Sequence, residues 1–208
     1  MFVKEPVEGF VKTRLSKTLG DEKTLVLYKH FVNDLINTLK NSKFEFKLCV
    51  YPNNKLINEV FGDYNNFIQE DGDLGVKMQK AFQSQFFLNY ENIILIGSDT
   101  PHIPKHYFDE TFTKLDEKKI VIGPSLDGGY YLIAFNKKSF NADLFKDITW
   151  STDVVLKQTL EKTTTDKVHL LNILNDIDTQ EDLEDFYKEY NHSYFSSSQT
   201  INFLKDIQ

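Results

Sequence analysis

The apolar positions of the chain fall into two periods. Between Asp21 and Lys40, Leu25, Leu27, Tyr28, Phe31, Val32, Leu35, Ile36 and Leu39 recur at three- and four-residue spacing, which predicts one long helix with a single apolar face. Met78, Ala81, Phe82 and Phe86 mark another helix behind Asp73. Weaker helical patterns cover residues 53–61, 104–115 and 153–162, a run beginning at Thr179, and residues 199–206. Between the helices stand short apolar or alternating runs at residues 1–4, 44–51, 66–69, 93–96, 119–124, 130–135 and 168–174, each read as a strand. Strands alternating with helices predict an α/β fold. Ile93-Ile94-Leu95-Ile96 does not alternate, which fits a strand buried on both faces of a helix-covered parallel sheet.

The polar stretches that interrupt this pattern carry the candidate chemistry. Gly97-Ser98-Asp99-Thr100-Pro101 follows the apolar run of residues 93–96, at the carboxyl end where open α/β sheets bind ligands. Asp99 there either serves a cation or another polar partner, or caps the turn into Pro101. Residues 5–15 form a loop marked by Pro6 and Gly9, with Lys12 and Arg14 where a helix takes over. These two side chains are either anion ligands or ordinary surface cations. In residues 69–78, Asp73 is placed to cap a helix, and Gly72 and Gly75 let backbone approach a ligand. Ser125-Leu126-Asp127-Gly128-Gly129-Tyr130-Tyr131 is either a hairpin turn or a flat, polar-edged pocket floor. The single tryptophan, Trp150, either fills core or stacks on a ligand, and Ser151 or Thr152 caps the following helix. Asp176 and Asp178 lie two apart, so in extended chain they share a face, and either could join Asp99 on a metal.

Composition narrows the function classes. The 24 basic and 31 acidic residues give a net charge of −7, which argues against a non-specific nucleic-acid binder. With one cysteine, Cys49, neither an internal disulfide nor a cysteine-based metal site is expected. No stretch is long and apolar enough for a transmembrane helix, and Lys4, Glu5 and Pro6 break any signal-peptide pattern after Met1. A cytoplasmic protein is expected.

With these stretches in place, the chain resembles the nucleotide-diphospho-sugar transferases of the GT-A fold. It is most similar to a small bacterial branch assigned to glycosyltransferases and long treated as a domain of unknown function. The matching motifs are Pro6-Val7-Glu8-Gly9-Phe10-Val11-Lys12-Thr13-Arg14-Leu15, Gly72-Asp73-Leu74-Gly75-Val76-Lys77-Met78, Gly97-Ser98-Asp99-Thr100-Pro101, Gly123-Pro124-Ser125-Leu126-Asp127-Gly128-Gly129-Tyr130-Tyr131, Trp150-Ser151-Thr152 and Asp176-Ile177-Asp178-Thr179-Gln180-Glu181-Asp182-Leu183. They follow the family's order from residue 6 to residue 183.

The resemblance implies a single Rossmann-like domain over residues 1–195, its central sheet mostly parallel and flanked by helices, with a tail or short helix over 196–208. It implies a nucleotide held by Gly9, Lys12 and Arg14, with Gly72 and Ser98 on the same side. It implies magnesium or manganese on Asp99, assisted by Asp178. The acceptor side would comprise Gly128, Gly129, Tyr130 and Trp150, with Asp127 as the catalytic group that orients or deprotonates an acceptor hydroxyl. The implied activity is a metal-dependent glycosyltransferase that joins a nucleotide-diphospho-sugar to a small-molecule acceptor. The alternatives are a nucleotidyltransferase that joins a nucleoside triphosphate to a phosphorylated small molecule and releases pyrophosphate, and a nucleotide-binding module without catalysis. Two departures from the family pattern stand out. The first loop is poor in glycine, and Ser98-Asp99-Thr100 offers one aspartate where many glycosyltransferases carry Asp-x-Asp.

Overall fold

In chain order the elements are β1 (Phe2–Lys4), α1 (Thr13–Leu19), α2 (Asp21–Lys40), β2 (Leu48–Tyr51), α3 (Ile57–Phe61), β3 (Asn66–Ile68), α4 (Leu74–Phe87), β4 (Asn92–Ile96), α5 (Lys105–Leu115), β5 (Ile120–Pro124), β6 (Tyr130–Asn136), α6 (Val155–Glu161), β7 (Val168–Leu170), α7 (Gln180–Tyr190) and α8 (Gln199–Ile207). They are seen in a computed structural model that describes residues 1–207. Contacts within the chain define two units. One holds Met1–Ile68, Ser98–Ile103 and the chain from Asn175 onward; the other holds Gln69–Gly97 and Pro104–Leu174. Three of the five strand pairings among the described residues are parallel. The architecture is the helix-flanked α/β class that the alternation of elements predicts.

The first unit is built on a parallel sheet of order β1-β2-β3, with Val3 opposite Val50 and Cys49 opposite Phe67. The predicted helix over Asp21–Lys40 forms over that whole span as α2. Its buried face, including Leu27 and Phe31, joins Leu15, Ile177, Leu183, Phe186, Phe195, Ile201 and Leu204 in one core. Each such side chain contributes about 1.5–3 kcal/mol when fully buried. Helix α8 is held to α2 by Asp34, whose carboxylate accepts from Gln199 N and Thr200 N, both at 2.9 Å, and from Thr200 Oγ1 at 2.6 Å. Burial pushes the Asp34 carboxyl above its ordinary pKa, and these hydrogen bonds offset only part of the effect. The strand expected over residues 44–51 forms only from Leu48. The ladder with β3 starts at Leu48 opposite Asn66, and that with β1 at Cys49 opposite Phe2.

The second unit holds a four-stranded mixed sheet of order β4-β6-β5-β7. Strands β4 and β5 run antiparallel to β6, while β7 runs parallel to β5. The pairing of β4 corrects the parallel, doubly buried strand expected from its apolar run. Its partner is antiparallel, Leu95 and Ile96 are buried, and Ile93 and Ile94 are only half-buried. An apolar run reports burial but not the direction of the neighbouring chain. Ile120–Pro124 in β5 and Tyr131–Phe135 in β6 are fully buried stretches of this sheet. Phe82 of α4 meets Phe135 edge-on at 5.0 Å and stacks near Phe86 and Phe145.

Local capping follows the sequence at two helices and departs from it at a third. Asp73 accepts from Val76 N at 2.8 Å at the start of α4. Thr179 and Asp182 form a reciprocal capping box at the start of α7. Helix α6 begins at Val155 behind Val154, without a side-chain cap. Thr152 instead donates to Thr149 O at 2.6 Å, and Ser151 has a φ of 63°, so neither is the cap expected of it. No helix among the described residues is long and apolar enough to cross a membrane.

Candidate active site

The first unit holds six of the predicted site residues: Gly9, Lys12, Arg14, Ser98, Asp99 and Asp178. Strand β1 ends at Lys4, and the loop behind it turns at Gly9, whose φ is 72°, and again at Lys12. Lys12 sits just before α1 with φ 47° and ψ 46°, a left-handed conformation that costs a non-glycine residue about 1–2 kcal/mol. The Lys12 side chain is 4% exposed, and its ammonium forms ion pairs with Asp99 Oδ1 and, at 2.9 Å, with Asp178 Oδ1. It also lies 5.8 Å from the centre of the Phe31 ring, within range of a cation–π contact. Arg14 lies farther out, 72% exposed and 4.0 Å from Asp178 Oδ2.

The electrostatics of the cluster follow from these contacts. Burial alone lowers the pKa of the Lys12 ammonium, but the Asp99 and Asp178 charges outweigh it and hold the group above the ordinary lysine value. Burial likewise raises the Asp178 carboxyl, yet Lys12, then Arg14 and Lys4, bring it below the usual carboxylate range. Lys12 and Asp178 therefore both stay charged near neutrality.

Two further contacts fix the segments that carry the carboxylates. Asp99 O accepts from Ile177 N at 3.0 Å. Thr100 Oγ1 donates to Asp176 Oδ1. The two nearby aspartates thus have different partners: Asp178 shares Lys12 with Asp99, while Asp176 bonds to Thr100. Ser98 is buried and hydrogen-bonds the hydroxyl of Tyr28, which also accepts from Lys4 N at 2.8 Å and donates to Lys4 O at 3.1 Å. Burial raises the Tyr28 phenol, so it remains a neutral strut between the end of β1 and the Asp99 segment. Thr100 and Tyr28 were not singled out from sequence as site residues. Thr100 directly follows Asp99, which is a usable signal, whereas Tyr28 reads only as one more apolar position of α2.

The predicted residues of the second unit have more local partners. Asp127 is exposed, and its Oδ1 accepts from Gly129 N at 2.9 Å, closing the turn between β5 and β6. Gly128 has a φ of 87°, and a Cβ there would lie 2.1 Å from Asp153 O. Its carbonyl accepts from Leu156 N at 2.8 Å, so this glycine seats the start of α6. Tyr130 is half-buried, with burial raising its phenol. Trp150 packs on Gly75, where a Cβ would come within 2.7 Å of the indole nitrogen. Gly72 precedes α4 with a φ of 134°, and a Cβ there would meet the Val76 side chain at 2.7 Å. Both glycines of this motif thus have close neighbours within their own unit.

The carboxylate pair suits a divalent cation. Asp99 and Asp178 are 47% and 41% exposed, and the ammonium they share keeps them close together. No group of three or more His, Cys, Asp or Glu that could hold a metal occurs among the described residues. Magnesium is commonly bound by one or two carboxylates, with substrate phosphates and water completing its shell.

The fold places the protein in the class of nucleotide-diphospho-sugar transferase folds. A solved structure from Desulfovibrio desulfuricans G20, described as a "putative nucleotide-diphospho-sugar transferase", matches 99% of this chain and 92% of its own, with a TM-score of 0.94 and 35% identity. A family model described as "Uncharacterized protein conserved in bacteria (DUF2064)" matches residues 35–152, and the chain belongs to that family. The 2-phospho-L-lactate guanylyltransferase of Methanocaldococcus vulcanius is 25% identical over 131 residues. That match takes in 62% of this chain and 57% of the relative, so the chain spans little more than half of that protein's length. The inositol-1-phosphate CTP transferase of T. maritima shares the fold, with a TM-score of 0.54, 18% identity and coverage of 87% of this chain and 89% of its own.

Proposed function

We propose that the protein is a nucleotidyltransferase that joins a nucleoside triphosphate to a phosphorylated small molecule and releases pyrophosphate. The observation that carries this reading is the Lys12–Asp99–Asp178 cluster with Arg14 beside it. Its carboxylate pair is assembled from two distant segments, whereas many sugar transferases carry an adjacent Asp-x-Asp. The relationship to a guanylyltransferase supports the same choice.

In this reaction an oxygen of the acceptor phosphate attacks the α-phosphorus of the triphosphate. A new P–O bond forms, the α–β bridge breaks, and pyrophosphate leaves with the bonding pair. An acceptor phosphate with a second pKa near 6 is largely dianionic at neutral pH, so the attack needs no general base. Asp127 is then dispensable as a base, which accords with its bond to Gly129 N. Asp99 and Asp178 would hold magnesium or manganese, which when bound neutralises charge on the departing pyrophosphate. Arg14, with its guanidinium exposed, would grip phosphate oxygens through parallel hydrogen bonds. Gly9 keeps the loop turned beside them.

Transfer of a sugar from a nucleotide-diphospho-sugar is the second reading, favoured by the name of the Desulfovibrio relative. The products separate the two. Pyrophosphate formed from a nucleoside triphosphate only when a phosphorylated acceptor is present is the expected result. Release of a nucleoside diphosphate from a nucleotide-sugar, without pyrophosphate, would overturn the proposal in favour of glycosyl transfer.

A further inference from the structure

Lys12 follows the first loop and carries a positive charge, as a phosphate ligand should, but its ammonium points elsewhere. It is committed to Asp99 and Asp178, and its side chain is 4% exposed. The two carboxylates are far more open, at 47% and 41%. Lys12 therefore supports the pair from the protein side, while both carboxylates keep solvent-facing oxygens. Arg14, 72% exposed and 4.0 Å from Asp178 Oδ2, is the more open cationic fork.

We propose that Lys12 is a built-in counter-cation that weakens the affinity of the Asp99–Asp178 pair for a divalent metal. It is a positioning residue, not the group that grips phosphate. This inference rests on the reading of the cluster as the transferase site. A positive charge in contact with both carboxylates repels an incoming dication and competes for the same oxygens. The pair then holds a free metal ion poorly and holds one well when it arrives with the phosphates of a nucleotide. Metal capture is thereby coupled to substrate arrival. The strained backbone at Lys12 and the Phe31 ring beside its ammonium fit a side chain built to stay in place.

The test is a titration of the full chain with manganese alone, without nucleotide, reading free metal by electron paramagnetic resonance. Lys12→Gln keeps a hydrogen-bond donor without the charge, Lys12→Met removes both, and Lys12→Arg keeps the charge. The Gln and Met variants are expected to bind manganese about tenfold more tightly than the parent or better. The Arg variant should stay within about threefold of the parent, and Asp178→Asn should bind more weakly. Unchanged or weaker binding by the folded Gln and Met variants would overturn the proposal, as would equal tightening in the Arg variant. Should the Gln and Met variants fail to fold alone, recovery of cooperative unfolding in millimolar manganese supports it, and no recovery overturns it. Absence of manganese binding in every form also overturns it. Pyrophosphate release by the unaltered protein, with and without chelator, reads separately whether the nucleotidyl-transfer reading stands.

Discussion

Two aspartates follow strands of this protein, and they differ in what surrounds them. Asp99, behind β4, shares the Lys12 ammonium with Asp178, and its backbone carbonyl is bonded to Ile177. Its partners lie dozens of residues away in both directions. Asp127, behind β5, takes its side-chain bond from Gly129, two residues on. A carboxylate with only a local partner can be explained by the turn that it closes. One held among charges drawn from distant segments has no such local explanation. The comparison teaches that position after a strand nominates a residue, while the sequence distance of its partners is the ground on which our proposal ranks Asp99 above Asp127.

The largest expected effect breaks the comparison if it fails. Asp99→Asn should reduce turnover by about 10²–10³-fold, the scale of losing one electrostatic group from a preorganised site. Asp127→Asn should cost less than about tenfold. Steady-state pyrophosphate release measures both, and equal losses would return Asp127 to the catalytic role.

Next in size is a stability effect confined to the turn. Gly128→Ala sets a methyl group against Asp153 O and forces a positive φ on alanine. About 2–4 kcal/mol of destabilisation is expected. Thermal unfolding should show it as a drop of roughly 5–12 °C. A drop below about 2 °C would mean that the loop shifts freely and that Gly128 is not needed for packing.

Thr100→Val sharpens the comparison on the Asp99 side. It removes the hydroxyl donated to Asp176 and should cost about 1–3 kcal/mol. If this bond aligns Asp99 with Asp178, manganese affinity should fall in the valine variant and return in Thr100→Ser. A melting-temperature change with unaltered metal affinity would limit the pair to structural support.

The smallest effect concerns pH. The folded Asp178 carboxyl lies below its ordinary value, so its stabilising contribution is present above the unfolded carboxylate pKa of about 3.9 and is lost as pH falls through the folded value. Lys12, raised in the fold, contributes below the unfolded lysine pKa of about 10.4 and loses that contribution as pH rises through the folded value. Urea denaturation from about pH 3 to about pH 6 should show a shallower acid decline for Asp178→Asn than for the parent. Identical slopes would sink the claim that Lys12 and Asp178 are coupled.

Much of this was legible before the structure. The period of α2 carried its full span from Asp21 to Lys40, because one apolar stripe on a long helix admits few other readings. The Thr179 and Asp182 capping box and the Asp73 cap were legible for the same local reason: donor and acceptor lie within a turn of each other. The strand over residues 44–51 was overextended, because strand length depends on neighbours that the stretch itself does not contain. The caps assigned to Ser151 and Thr152 failed because the backbone turned before α6 began. Gly75 reads from sequence as a place where backbone approaches a ligand, and Gly128 as a turn or pocket floor; the close neighbours that the structure gives both belong to the chain itself. Their neighbours, Trp150 and Asp153, lie 75 and 25 residues further along the chain.

The sequence by itself determined the α/β class, the helices with strong periodicity and the short list of residues able to do chemistry. These depend on interactions within one or two turns, or on residue type alone. Only the tertiary structure decided that β4 pairs antiparallel with β6, that Asp178 joins Asp99 while Asp176 joins Thr100, and that Lys12 is buried beneath the carboxylates. Each of these depends on which distant segment arrives beside a residue, and on how far its charge is withdrawn from water. Neither quantity is carried by residue identity or spacing.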